Sequence, residues 1–136
     1  MTEQLVRDAM VPDPLSLDAS ASAQEAAEAL SRPEVRAVFV CDDGRLTGVI
    51  TRKTLVREVV ARGLDPTTTM VGTFAEPPNA TIDSAMPLGD AFAFLEENDY
   101  ERVPVVDGGK LVGVLSRSAV QRRLAEDEEV SDTDGV

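Results

Sequence analysis

The feature that most constrains this chain of 136 residues is an internal repeat at a fixed offset of 65. Val38-Phe39-Val40-Cys41-Asp42-Asp43-Gly44-Arg45-Leu46-Thr47-Gly48-Val49-Ile50-Thr51-Arg52 returns as Val103-Pro104-Val105-Val106-Asp107-Gly108-Gly109-Lys110-Leu111-Val112-Gly113-Val114-Leu115-Ser116-Arg117. Twelve of the 44 pairs from Leu17/Ile82 to Val60/Ala125 are identical, without a gap. A register held over that length means two copies of one supersecondary unit.

Each copy reads β-α-β-β-α, so the fold class is α/β. A short strand near Leu15–Leu17 opens the first copy. Ser22-Ala23-Gln24-Glu25 has the capping-box pattern, which predicts a helix with Ala26, Ala27 and Leu30 inward and a stop near Pro33. Arg36–Cys41 is rich in β-branched residues and reads as a strand. Asp42-Asp43-Gly44 is a turn, and Leu46–Ile50 the returning strand. Thr51 then caps a second helix with Leu55, Val56, Val59 and Val60 on its apolar side, ended by Gly63. In the second copy Pro87 marks the first helix and Ala91, Phe92 and Leu95 its stripe. Asp107-Gly108-Gly109 is the turn, and Ser116 caps the last helix.

The organisation expected is a first repeat with its lead-in over 1–64, a linker over 65–78, a second repeat over 79–125 and an acidic, disordered tail over 126–136. A unit of about 60 residues is marginal alone. The two repeats are therefore expected to pack through their sheets with pseudo-twofold symmetry. Apolar residues make up 43% of the sequence and aromatics 4%, so Val, Leu, Ile and Ala must supply the core.

The formal net charge of −12 sets a field that repels phosphate backbones, which disfavours nucleic acid as a partner. One cysteine permits no internal disulfide, and with no histidine a dedicated zinc site is not expected. No stretch has the form of a signal peptide or the length of a membrane span, so the expected location is the cytoplasm and no membrane is involved. Without histidine or an activated nucleophile, no catalytic residue is assigned and the chain is not expected to be an enzyme. Asp18 and Asp83, which recur in register, read as turn or capping residues, and Cys41 as a small buried apolar residue.

The segments Arg102–Asp107 and Leu111–Ser116, with Val38–Asp42 and Leu46–Thr51 in the first copy, resemble the CBS-domain family. Val6-Arg7-Asp8-Ala9-Met10 is similar to the lead-in before a first CBS repeat, and Thr69-Met70-Val71 to a weaker one before the second. The resemblance covers about residues 5 to 125. It implies a tandem pair, or Bateman module, standing alone and commonly assembling as a disc-like homodimer. It implies adenine nucleotides such as AMP, ADP or ATP, or S-adenosylmethionine, as ligands held between the repeats, with no cofactor required. It also implies a regulated protein partner, whose identity the sequence leaves open.

The family's ligand motif is Gly, two apolar residues, Thr or Ser, two residues, then an Asp that accepts from ribose hydroxyls. Gly48-Val49-Ile50-Thr51-Arg52-Lys53-Thr54 and Gly113-Val114-Leu115-Ser116-Arg117-Ser118-Ala119 keep the hydroxyl and lack the Asp. Thr51 and Ser116 read as helix caps in any case. Arg52, Lys53 and Arg117 are cations at the positive end of a helix dipole, which points to an anion nearby; pairing with surface carboxylates is the alternative. Arg102 lies where it would reach a phosphate, whereas Arg36 is one position out of register with it. Val38, Val49, Val103 and Val114 read as core residues or as walls for a flat base, and Pro104 as an edge or the end of sheet pairing. Two readings follow: a sensor of an adenosyl ligand that signals by conformational change, and a ligand-independent dimerisation or protein-interaction module with degenerate sites.

Overall fold

In a computed structural model, which describes residues 3–134 and side-chain surroundings through residue 126, the order β-α-β-β-α occurs twice. A lead-in of α1 (Val6–Ala9) and β1 (Val11–Pro12) comes first. The first repeat is β2 (Ser16–Asp18), α2 (Ala23–Leu30), β3 (Val38–Asp42), β4 (Arg45–Ile50) and α3 (Arg52–Leu55), which continues as a π-helical turn, Val56–Val60. After a 3-10 turn at Val71–Thr73, the second repeat is β5 (Ile82–Asp83), α4 (Leu88–Glu97), β6 (Arg102–Asp107), β7 (Lys110–Ser116) and α5 (Arg117–Asp134).

The elements begin and end where side chains satisfy the backbone. Asp18 Oδ2 accepts the Ser20 N–H at 3.0 Å, and Asp83 Oδ1 accepts the Ala85 N–H at 2.8 Å. Both are Asx turns that lead a strand into a helix. Ser22 caps α2 by accepting the Glu25 N–H at 3.2 Å. The Ala23 and Gln24 N–H groups reach Thr69 O and Pro66 O at 2.8 and 3.1 Å, so the linker closes donors that the helix leaves open. Both hairpin turns use left-handed backbone, Asp43-Gly44 at φ 54° and 81° and Gly108-Gly109 at φ 60° and 86°.

The chain forms two compact units that do not follow the order of the sequence. The repeat-1 unit holds Pro14–Asn79 and Gly109–Leu111. Its β2 pairs parallel to β3, which pairs antiparallel to β4 in the register Val38↔Ile50 and Val40↔Gly48. Ala26 and Leu30 of α2 and Val59 of the π-turn pack with Val38, Val40 and Ile50. The repeat-2 unit holds the chain as far as Asp13, Ala80–Gly108, and Val112 onward. There β5 runs parallel to β6, β6 neighbours β7, and β1 pairs antiparallel to β7 through Val11↔Val114. Leu88, Leu95, Val103, Leu115 and Val120 form its core with Val6.

The lead-in expected to belong with the first repeat therefore packs with the second. Val6, fully buried, and the pairing of Val11 supply what the second copy of the repeat lacks. The linker does the same for the first copy through fully buried Val71. Val6 and Val71 are themselves 65 residues apart, so the repeat reaches back into both connecting segments.

Three further expectations are corrected. Ala27 is exposed, and Ala23 takes the inward place on α2, because the cap at Ser22 fixes the helix phase. Val56 and Val60 are 59% and 70% exposed, since the turn after α3 presents Val59 to the core instead. The acidic stretch expected to be disordered continues α5 as far as Asp134. Elongating an existing helix needs no nucleus, and Glu is a good helix former. Gly135 and Val136 of that predicted tail lie outside the described residues.

Candidate functional site

In the repeat-1 unit, β4 delivers Thr51 to the start of α3 in an extended conformation. Its Oγ1 accepts the Thr54 N–H at 3.4 Å, while Thr54 Oγ1 accepts the Thr51 N–H at 3.1 Å. The two hydroxyls lie 3.1 Å apart, and Thr54 is only 2% exposed. Thr54 holds the position of the missing Asp, and its polar atoms are spent inside a capping box. In the repeat-2 unit, Ser116 Oγ accepts the Ala119 N–H at 3.2 Å. Ala119 offers no side-chain polar group at all.

The cations divide by repeat. Arg52 donates from Nη2 to the carbonyl of Arg32, just beyond α2, at 2.9 Å. Lys53 is exposed. Arg117 donates to the Glu101 carboxylate and, at 3.5 Å, to Asp99 Oδ1. Its backbone N–H also reaches Glu101 O at 2.9 Å. The carboxylate alternative is thus what Arg117 adopts. Arg102, at the head of β6, is exposed. Neither Glu101 nor Asp99 stands out as a site residue in the sequence; the signal for Glu101 is its antiparallel register opposite Arg117.

The valines separate into two pairs. Val38 and Val103 lie in the two cores at 0% and 2% exposure. Val49 and Val114 are half-buried, and both lie under a crossing segment. Val49 exchanges both backbone hydrogen bonds with Glu76, at 2.7 and 3.0 Å, and Val114 pairs with Val11. Glu76 is anchored in turn by an ion pair with Arg57. Beside each valine the motif glycine makes room for that segment. A Cβ on Gly48 would meet Ala75 Cβ at 2.7 Å, and one on Gly113 would meet Met10 Sδ at 2.5 Å and Val11 O at 2.9 Å. Pro104 lies on β6 one residue before the pairing with β5 begins at Val105, so its missing N–H interrupts no bond of that ladder.

Burial pushes the Cys41 thiol pKa up, with the Asp18 carboxylate adding to the effect. Hydrogen bonds from Ser20 and from Thr67 hold Asp18 and Asp65 below the usual carboxylate range. Among the described residues no cluster of His, Cys, Asp or Glu is suited to hold a metal ion, and no helix is long and apolar enough to cross a membrane.

The CBS-domain profile matches residues 6–61 and again 71–126. Hypoxic response protein 1 of Mycobacterium tuberculosis is 31% identical over 102 residues, 74% of this chain and 71% of that protein. The crystal structure of Hypoxic Response Protein I with two coordinated zinc ions superposes with a TM-score of 0.73 at 26% identity, covering 88% of this chain and 98% of that one. That of CBSX2 in complex with AMP gives a TM-score of 0.70 at 27% identity, over 91% and 98%. With two profile matches in the register of its own internal repeat, this chain belongs to the CBS-domain family as a tandem pair of CBS domains.

Proposed function

We propose that this protein is a regulatory CBS module that binds an adenine nucleotide or a related adenosyl ligand and signals by conformational change to a regulated protein. The observation that carries this reading is the likeness, over 91% of the chain, to CBSX2 in its complex with AMP. A hydroxyl followed by a cation at both helix starts, Thr51-Arg52 and Ser116-Arg117, supports it. Residues 48–54 are the better candidate, because Arg52 and Lys53 make no salt bridge among the described residues, whereas Arg117 is paired with carboxylates. Regulation rather than catalysis fits a sequence without histidine. The reading does not extend to zinc, for which the sequence offers no histidine and one cysteine.

A thermal-unfolding screen with AMP, ADP, ATP, S-adenosylmethionine and inorganic phosphate tests it. A ligand at about a hundred times its dissociation constant adds about 2.7 kcal/mol of stability, a rise of several degrees in Tm. A rise with an adenosine compound and none with phosphate is the expected result. No rise with any of them, in protein purified free of nucleotide, would leave the second reading, a ligand-independent dimerisation or interaction module. The internal use of the Thr54 hydroxyl and the pairing of Arg117 with Glu101 favour that reading. Both readings include a homodimer, to which the exposed Val56 and Val60 would contribute apolar surface. Sedimentation at twice the 14.5 kDa chain mass is expected.

A further inference from the structure

The lead-in and the first repeat are joined at a short, strained hinge. The repeat-2 unit takes the chain as far as Asp13, and the repeat-1 unit begins at Pro14. On one side Pro12 is paired with Gly113 on β7; on the other the Leu15 carbonyl accepts the Phe39 N–H at 3.1 Å. Only Asp13 and Pro14 lie between. Asp13 has a φ of 52°, in the left-handed region that a Cβ disfavours. Pro14 adds to the conflict, because the residue before a proline is steered towards extended backbone. Pro12 steers Val11 the same way, and Val11 is extended as part of β1. Without the turn at Asp13, residues 11–15 would run as one extended segment and carry the lead-in away from its own chain.

What holds the lead-in is easily transferred. Val6 is fully buried in the repeat-2 core. The Val6 and Arg7 N–H groups reach Met86 O and Ser84 O at 2.9 and 3.0 Å, and Gln4 O accepts the Leu88 N–H at 2.9 Å. Arg123 Nε donates to Gln4 Oε1 at 3.1 Å. All these partners belong to the repeat-2 unit, and a second copy of the chain offers the same set. Beside the hinge, Val11 and Leu15 are 66% and 40% exposed, apolar surface that a single chain leaves uncovered.

We propose that two copies of this chain exchange their lead-ins: the segment up to Pro12 of each copy docks on the repeat-2 unit of the other, with Asp13 as the hinge. Every lead-in contact is kept, so the exchange is decided at the hinge and by concentration. In the dimer Asp13 is extended in both copies, and the two hinge segments lie side by side over Val11 and Leu15. Short hinges under strain favour such exchange. The inference does not rest on the adenosyl reading. It gives the homodimer a specific form, in which each repeat-2 core takes its Val6 from the other chain.

Oxidative cross-linking of the full chain reads the exchange directly. Val11 and Val114 are opposite each other on β1 and β7, so Val11→Cys with Val114→Cys places two thiols within disulfide reach. Cys41→Val removes the competing thiol. The triple variant is refolded from urea at high micromolar concentration, separated by size and oxidised, and each fraction is run on a denaturing gel without reductant. The dimer fraction should carry disulfides that join two chains, and the monomer fraction internal ones. Asp13→Gly, which accepts the left-handed conformation freely, should raise the dimer dissociation constant about tenfold or more in sedimentation equilibrium. Thermal melts verify that each variant folds. No dimer after refolding, a dimer whose disulfides are all internal, or an unchanged dissociation constant in Asp13→Gly would each overturn the proposal. None of these outcomes depends on nucleotide binding, which the thermal screen reads separately.

Discussion

The side-chain oxygens of Thr51 and Thr54 each accept the other residue's backbone N–H, with the two hydroxyls 3.1 Å apart. The start of α3 is therefore closed by the chain's own groups at the position where the CBS resemblance places a ribose-binding carboxylate. Local folding thus uses the atoms that the resemblance would assign to ligand recognition.

Removing one half of that box measures its strength. Thr54→Val keeps the shape and deletes the hydroxyl, leaving the partly buried Thr51 N–H without its acceptor. A loss of about 1 kcal/mol is expected, and a similar loss for Thr51→Ala. The double variant should lose less than the sum, because each single change already breaks the shared contact. Urea denaturation of the four proteins reads all three numbers, and full additivity would show that the two threonines act separately.

Gly48 and Gly113 lie under crossing segments, so an added methyl group has nowhere to go without moving its neighbour. Gly48→Ala would press on Ala75 Cβ at 2.7 Å and Glu76 O at 3.2 Å, and Gly113→Ala on Val11 O at 2.9 Å. A destabilisation of about 1–3 kcal/mol is expected for each. Gly89, early in α4, has open space around it, so Gly89→Ala should be neutral or stabilising by up to about 1 kcal/mol. Chemical denaturation curves of the parent and the three variants suffice, and a well-tolerated Gly113→Ala would mean that the lead-in is not held against β7 as described.

The repeat, its element order and the strand valines Val38 and Val103 were legible because they depend on local pattern: β-branched runs, turn glycines and capping residues recur at one offset. Of what was not, two things bear on the site and on how the repeats are completed. The lead-in carries a single buried apolar residue, Val6, in a four-residue helix, too little periodicity to say which repeat it completes. Nor could the residue types around Arg52 and Arg117 say whether an anion or a carboxylate meets them. That depends on what the fold brings beside them: the Arg32 carbonyl for Arg52, and the Glu101 carboxylate for Arg117. The two copies thus differ in charge beside arginines that are identical.

Acid sensitivity should trace to two turns. Asp18 and Asp65 have folded pKa values below the ordinary 3.8, chiefly because the side chains of Ser20 and Thr67 donate to them. Below that value the unfolded chain takes up protons that the folded carboxylates still refuse. Their contribution is therefore present above the unfolded pKa and lost as the pH falls through the folded one. Asp18→Asn and Asp65→Asn keep an acceptor oxygen and remove the titration. In urea midpoints measured from about pH 5 down to about pH 2, both variants should show a shallower decline than the parent. Parallel curves would mean that other carboxylates carry the acid limb.

Cys41 should mark the opposite limb. It is 8% exposed on β3, and burial, followed by the Asp18 carboxylate, raises its pKa above the ordinary 9.0. The folded protein then holds its thiol proton at pH values where the unfolded chain releases it. Stability from this group is fully present below the unfolded pKa and is lost as the pH rises through the folded pKa. Two measurements follow. Native protein near pH 8 should react with a disulfide reagent far more slowly than protein in urea, because a buried neutral thiol is a poor nucleophile. Cys41→Val, which installs the residue found 65 positions later at Val106, should fold with a change within about 1 kcal/mol and show a flatter alkaline limb. Labelling of the native protein at the rate of a free thiol would sink the burial argument, and an unchanged alkaline slope in Cys41→Val would assign that limb to other groups.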